Sequence, residues 1–325
     1  MRTKILLASL IIGSSAAFAQ AQVTGQLSNV TRITNDAGVK YENPRFSPDG
    51  KQVAFTDFGY DNLYVMKVDG SARKQISKDF GVGYMYQWSA DGNEILVRDT
   101  RFVKSPDGGS RSHGIFAIDM NGVKTRLSGD ARLMWPASWR YSANGAASIA
   151  VDGKKIATTR KLKAANGGAL PRAIQNEMRK PQYQISFISD AENLYVMDAN
   201  GVKKLIYSGC ALVPSLSPDG KKVAFITGTD DLIVMNVNGT GLVKYGKAFN
   251  PQWVNANQLI YERTTDDGHD YKTGELYLLN LDTRAEKALT ATPGRIEMNP
   301  ALSADGKKLL FTSFNDGQVY IADLK

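Results

Sequence analysis

The chain has 325 residues, 22% charged and 42% hydrophobic, with 40 Lys and Arg against 32 Asp and Glu, a net charge of +8. That length can bury a large core, while a mild basic excess scattered along the chain, with no basic arm, argues against nucleic acid as a partner. The single cysteine, Cys210, excludes an intramolecular disulfide and reads as a packing residue, so stability has to come from packing.

Taken in chain order, the N-terminus stands apart. Arg2 and Lys4 precede an apolar run from Ile5 to Phe18, and Ala17-Phe18-Ala19 or Ala19-Gln20-Ala21 supplies a small-x-small cleavage pattern. The run is short for a membrane span, and no cysteine follows it to carry a lipid. The expectation is a bacterial secretory signal over 1–21 and a mature protein, periplasmic or secreted and not membrane-spanning, over 22–325. Loss of Arg2 and Lys4 leaves an excess of +6.

From residue 43 onward the chain repeats itself. Asn43-Pro44-Arg45-Phe46 leads into the turn Ser47-Pro48-Asp49-Gly50-Lys51 and then the strand-like Val53-Ala54-Phe55-Thr56. The turn returns as Ser89-Ala90-Asp91-Gly92, Ser217-Pro218-Asp219-Gly220-Lys221 and Ser303-Ala304-Asp305-Gly306-Lys307. A third-strand pattern ending in its own Asp-Gly or Asn-Gly turn recurs, as in Leu63 to Gly70 and Leu194 to Gly201. These dipeptides accept the positive φ of tight reversals, so each unit reads as a four-stranded antiparallel meander.

Counting strand types sets the number of units. Third strands occur six times, starting at Leu63, Ile115, Leu194, Leu232, Leu276 and Val319, while fourth strands follow only five of them. The missing fourth strand is available at Val30 to Thr34. The expected fold is therefore all-β, a six-bladed β-propeller whose ring is closed by the N-terminal strand pairing with the C-terminal blade. The third unit is ambiguous, because Ser142 to Gly145 and Val151 to Ala157 both offer a turn followed by a strand.

The Ser-Pro-Asp-Gly-Lys turns followed by Val-Ala-Phe resemble the PD-type, WD-like repeats of the TolB propeller family, also found in the propellers of prolyl oligopeptidases and of oligogalacturonate lyase. The resemblance covers residues from about 28 to 325. It implies the propeller fold and, for a TolB-type role, contact with protein in the cell envelope. The extra N-terminal α/β domain of TolB and the hydrolase domain of prolyl oligopeptidases have no counterpart in this sequence.

Strand parity separates two faces. First-to-second and third-to-fourth connections are tight turns on one face; second-to-third connections lie on the other and include the long segments Arg101 to His113 and Thr264 to Gly274, joined there by the insertion 160–184. Long loops on a rigid scaffold are where binding usually resides. The insertion carries Arg160, Lys161, Lys163, Arg172, Arg179 and Lys180, either as a cationic arm or as a solvated excursion.

On the elaborated face, the leading residues of the first strands form a candidate channel mouth: Glu42, Asn43, Arg45, Asn250, Gln252, Glu297 and Asn299, with Tyr86, Trp135 and Trp139 as stacking surfaces. The bland alternative is that the Asn-Pro pairs only direct the chain and the aromatics pack between blades. Catalytic signatures are missing: there is no Gly-x-Ser-x-Gly, His-Glu-x-x-His or phosphate loop. His113, His269 and Asp270 are the weak metal candidates, for Ca²⁺ or Mn²⁺, and both histidines fall in expected loops; oligogalacturonate lyases use several histidines. The expected protein is a monomeric, non-catalytic binding propeller without a cofactor, taking a protein or an envelope glycan. The alternative is a metal-assisted polysaccharide lyase.

Overall fold

A computed structural model describes residues 23–325 apart from 90, 106–107, 129–137, 142–145, 152–153, 162–183, 189–192 and 198–201. The expected secretory signal at 1–21 and most of the insertion at 160–184 thus lie outside the described residues. All regular structure among the described residues is β-strand in antiparallel sheets. No helix there is long and apolar enough to cross a membrane.

The first meander is β2 (Tyr41–Phe46), β3 (Gln52–Asp57), β4 (Leu63–Lys67) and β5 (Lys74–Ser77), and the next is β6 (Gln87–Trp88), β7 (Glu94–Ser105), β8 (Gly108–Asp119) and β9 (Lys124–Arg126). Later come β16 (Ala211–Leu216), β17 (Lys222–Thr227), β18 (Asp231–Asn236) and β19 (Val243–Lys247), then β20 (Phe249–Asn255), β21 (Gln258–Asp266), β22 (Tyr271–Asn280) and β23 (Glu286–Ala288). The last sheet joins β24 (Glu297–Leu302), β25 (Lys308–Ser313) and β26 (Gln318–Leu324) to the N-terminal strand β1 (Leu27–Arg32), with Leu27 opposite Leu324 and Thr31 opposite Ile321. The N-terminal strand thus supplies the fourth strand of the C-terminal sheet.

The repeated turn makes the same bonds in every copy. The Ser47 hydroxyl donates to Asp49 at 2.7 Å and accepts from the Gln52 amide, Asp49 accepts from the Lys51 amide, and Gly50 takes φ 70°. Ser89, Ser217 and Ser303 bond Asp91, Asp219 and Asp305 in the same way at 2.6 to 2.7 Å. The Asp closes the hairpin, and Lys51 points into solvent with 83% of its side chain exposed.

The four-stranded sheets pack face to face on their neighbours, which explains why their second strands read as continuous apolar runs. Val53 and Phe55 join Leu310 and Val319 of the last sheet, while Ala54, between them, joins Ile95, Val97 and Phe116 of the β6–β9 sheet. The same alternation places Ile260 with Leu309 and Phe311, Leu259 with Ala224 and Val234, and Phe225 with Leu194 and Val196. A strand buried on both faces has no polar side to show. These interfaces string the sheets into an arc.

The expected count of six four-stranded blades is corrected: among the described residues there are five. Residues 138–207 instead form two three-stranded sheets, β10 (Ser138–Tyr141), β11 (Ala146–Val151) and β12 (Lys154–Lys161), then β13 (Gln184–Ile188), β14 (Asn193–Met197) and β15 (Lys203–Tyr207). The physical reason lies in the two rival turn signals. Strands pair on either side of each, with Ser138–Tyr141 against Ala147–Ala150 and Val151 opposite Lys154. The extra hairpin leaves β12 separated from β13 by the insertion, so one meander becomes two. Among the described residues the arc runs from the β13–β15 sheet round to the β6–β9 sheet, and closure of the ring does not fall among them.

Candidate functional site

Four first strands carry the same distortion. Asn43, Val213, Asn250 and Asn299 each precede a proline, each has positive φ of 48° to 57°, and each lies where the pairing with the second strand gains a residue. This is a β-bulge, with one extra residue on the first strand. Asn is among the residues that accept this backbone; β-branched Val213 adopts it only under strain. The Asn-Pro pairs therefore do have a structural role, and the bulges turn the strand starts toward the face that carries the second-to-third connections.

There they meet around a cavity of about 540 Å³ lined from four sheets. Cross-strand partners ahead of each bulge build its wall: Glu42 opposite Thr56, Leu212 opposite Ile226, Phe249 opposite Glu262, Met298 opposite Thr312. All of these except Thr56 line the cavity. Acid stands at two positions of this repeating ring, Glu42 and Glu262, where the other sheets place apolar residues or Thr.

Both carboxylates are nearly buried, at 7% and 2% exposure, and both are held by backbone. Glu42 accepts the amides of Gly59 at 2.9 Å and Tyr60 at 2.6 Å. Glu262 accepts the Asn299 amide and, at 3.0 Å, the Asn250 side chain. Burial pushes the Glu262 carboxyl up to about 7 against the pull of those donors, and raises Glu42 in the same sense. Asp230 and Asp266 add acid to the lining.

Aromatic rings form the rim. Phe314 makes edge contacts with Phe58 at 5.9 Å and Tyr271 at 5.1 Å, and Tyr60 meets Tyr84 at 5.6 Å. Phe58 is 54% exposed. Lys40, the cation among the lining residues, sits 3.6 Å from the Phe314 ring centroid. The mouth is thus an acidic floor under an aromatic rim.

Of the residues read from sequence, Glu42, Asn250 and Asn299 line this cavity. Asn43 and Arg45 are not among its lining residues: the Asn43 amide donates to Gly83, and Arg45 donates to Asn43 and packs over Tyr86. Tyr86 is wholly buried between sheets, its hydroxyl bonded to the carbonyls of Asn43 and Ala54, and offers no stacking surface. Gln252 pairs with Ile260 below the bulge, away from the lining. Glu297 is fully buried outside the cavity, its carboxyl raised to about 7 by burial and by neighbouring Glu275. Trp139 lies in β10, and Trp135 is outside the described residues.

Sequence reading missed Glu262, Tyr60, Tyr271 and Phe314. Aligning the units on their X-Pro step would have found Glu262, because it stands level with Thr56, Ile226 and Thr312. Tyr60 and Phe314 sit in connections that do not repeat, and Tyr271 opens β22 beside another such connection.

The metal candidates are not assembled into a ligand set. The expected loop at Arg101 to His113 is extended hairpin, which places His113 in β8, its Nδ1 3.0 Å from the Thr100 hydroxyl. Likewise Thr264 to Gly274 is mostly strand, with His269 and Asp270 at the turn, where their amides donate to Asp267. Among the described residues no group of three His, Cys, Asp or Glu side chains converges. Cys210 is half-buried beside a separate cavity of about 380 Å³, near the Asp231–Lys244 ion pair.

The chain is similar to known TolB proteins. It is 32% identical to the TolB homolog of Chlorobium chlorochromatii over 142 residues, 40% of this chain and 31% of that protein. To the homolog of Chlorobium luteolum it is 30% identical over 122 residues, 35% of this chain and 27% of the relative. The chain thus spans less than a third of the curated relatives it matches. No family model matches it. The crystal structure of TolB from Acinetobacter baumannii superposes with a TM-score of 0.50 at 18% identity, over 81% of this chain and 57% of that one. The fold is a TolB-like β-propeller of antiparallel sheets, as the repeated turns imply.

Proposed function

We propose that this protein is an exported, non-catalytic binding propeller of the TolB type, which engages a protein of the cell envelope through the mouth built by Glu42, Asn250, Glu262 and Asn299 under the rim of Phe58, Tyr60, Tyr271 and Phe314. The observation that carries this reading is the mouth itself: residues from four sheets converge there, and exposed rings edge an acidic cavity. Its two buried carboxylates are engaged as acceptors for backbone amides and one Asn side chain, which suits a rigid receptor wall. Exposed aromatic rings on a pre-formed concave surface are the usual anchors for a partner's loop. The N-terminal Arg2, Lys4 and the apolar run after them support export to the periplasm or outside the cell, and the similarity to TolB homologs supports a protein as partner.

The test is capture from the envelope fraction of the source bacterium on immobilised protein. Phe58→Ala with Asp266→Lys should lose a protein that the unmodified chain retains, because one change removes an anchor and the other replaces one of the mouth's four acids with a cation. Equal capture by both would sink the mouth as the site. Competition of that capture by soluble envelope glycan would reassign the partner.

A further inference from the structure

Four acids are buried among the described residues, and three of them have partners. Glu42 and Glu262 accept amides, and Asp99 pairs with Arg101 at 3.6 Å and Lys124 at 3.5 Å. The fourth, Glu297, is fully buried, and neither of its carboxylate oxygens has a hydrogen-bond partner. A buried carboxylate is costly unless it is paired or binds a metal ion.

What surrounds Glu297 is more oxygen. It opens β24 of the last sheet, and Glu275 of β22 comes to it from the neighbouring sheet. The two backbones approach closely where β22 has a glycine: a Cβ on Gly274 would lie 3.2 Å from the Glu297 carbonyl oxygen and 2.6 Å from the Ile296 side chain. Half-buried Glu275 is itself held in place, since its Oε2 accepts the Thr290 hydroxyl at 2.6 Å and Thr290 accepts the Leu276 amide at 2.9 Å. The Thr292 hydroxyl, in the connection between the two sheets, also lies near enough to act on Glu297. Arg295 is the cation that feels this pair, but its guanidinium sits over the Tyr320 ring at 4.6 Å and donates no hydrogen bond to Glu297. Two carboxylates brought together without a donor repel, and a bound cation reverses the sign of that interaction.

We infer that Glu297 and Glu275, with the Thr292 hydroxyl, form a Ca²⁺ site that clamps the β20–β23 sheet to the last sheet, water completing the ligand set on the solvent side of Glu275. The ligands are all oxygen and carry two negative charges, which suits a hard divalent ion. Glu297 lies too deep for the water shell that Mg²⁺ retains, whereas Ca²⁺ accepts an irregular oxygen set. Met298 and Asn299, which line the mouth, follow Glu297 directly, so the ion stands behind the mouth wall and does not depend on what the mouth binds.

The test titrates the full chain, stripped with a chelator, with CaCl₂ in a calorimeter and follows its melting temperature. Ca²⁺ should bind and raise the melting temperature, and Mg²⁺ at the same concentration should do far less. Glu297→Gln should weaken Ca²⁺ binding by at least about tenfold, because it removes one of two ligand charges. In chelator the same variant should melt no lower than the unmodified chain, since it removes an unpaired buried charge; a glutamate kept only for packing or hydrogen bonding would not behave so. Glu275→Gln, at a half-buried position, should weaken Ca²⁺ binding by a similar factor and decides the matter if Glu297→Gln fails to fold. No Ca²⁺ binding by the unmodified chain, or undiminished binding by Glu275→Gln, would overturn the inference, and equal stabilisation by Mg²⁺ would overturn the choice of ion. The mouth variant Phe58→Ala with Asp266→Lys should bind Ca²⁺ normally, which separates failure here from failure at the mouth; loss of Ca²⁺ there would move the ion to the acidic turn at 266–270 and overturn the assignment.

Discussion

The two faces of this propeller use repetition differently. On the turn face, Ser47, Ser89, Ser217 and Ser303 make the same hydroxyl-to-Asp bond within 0.1 Å of each other. On the mouth face, Asn43, Val213, Asn250 and Asn299 share a backbone shape while their side chains and neighbours diverge. A turn that only has to reverse the chain is free to converge on one solution in every copy. A surface that has to meet something keeps the backbone and varies what it displays, at the expense of buried acid in Glu42 and Glu262.

If that contrast is right, the largest stability loss belongs to a backbone position on the turn face. Gly70 has φ 84°, and a Cβ there would lie 2.6 Å from the Ile33 carbonyl oxygen. Gly70→Ala should cost about 3 kcal/mol in denaturant unfolding, from the left-handed backbone and the clash together. A loss under about 1 kcal/mol would mean that the N-terminal segment yields easily.

Next is the buried acid of the mouth. With Glu262 raised to about 7, the folded chain keeps a proton that the unfolded chain releases near pH 4.3, the usual Glu value. Stability is therefore greatest below that point and falls as pH rises toward 7, because the unfolded state binds fewer protons across the window. Glu262→Gln should remove about 2 kcal/mol of that fall, while Glu297 keeps its own share in the same window. Unfolding curves at pH 5 and pH 8 with the same slope for both proteins would break the contrast.

Smaller still, Ser217→Ala removes two bonds in one turn, the donation to Asp219 and the acceptance from the Lys222 amide. It should cost about 1 kcal/mol by thermal unfolding, and Ser303→Ala should match it within about 0.5 kcal/mol because the geometry repeats. The smallest effect is Lys51→Ala, at most about 0.5 kcal/mol, since the ammonium lies 4.0 Å from Asp49 in open solvent.

Much of the fold was legible because its signals are local. Asp-Gly turns followed by runs such as Val53 to Thr56 announce hairpins without reference to the rest of the chain, and the spare strand near Val30 could be matched to the missing partner of Val319 to Leu324. The irregular unit was not legible for the opposite reason. Ser142 to Gly145 and Asp152-Gly153 each make a good local turn, and whether one or both are used depends on what the flanking strands pack against.

The site divides along the same line. Glu42, Asn250 and Asn299 were found because they stand beside prolines that recur, whereas Tyr86 looked like a surface ring and is core, its hydroxyl satisfied by two carbonyls from the adjacent sheet. Glu262 lies in a strand that reads as ordinary, and only its place opposite Phe249 and under Asn299 makes it a wall of the mouth.

What this sequence determined by itself was the repeating unit, its turns and the face on which repetition ends, because turn chemistry and strand alternation act over a few residues. The tertiary structure alone decided how many complete sheets there are and which side chains converge. Pairing of the N-terminal strand with the last sheet and packing of one sheet on the next join residues tens to hundreds of positions apart, and no local pattern carries that information.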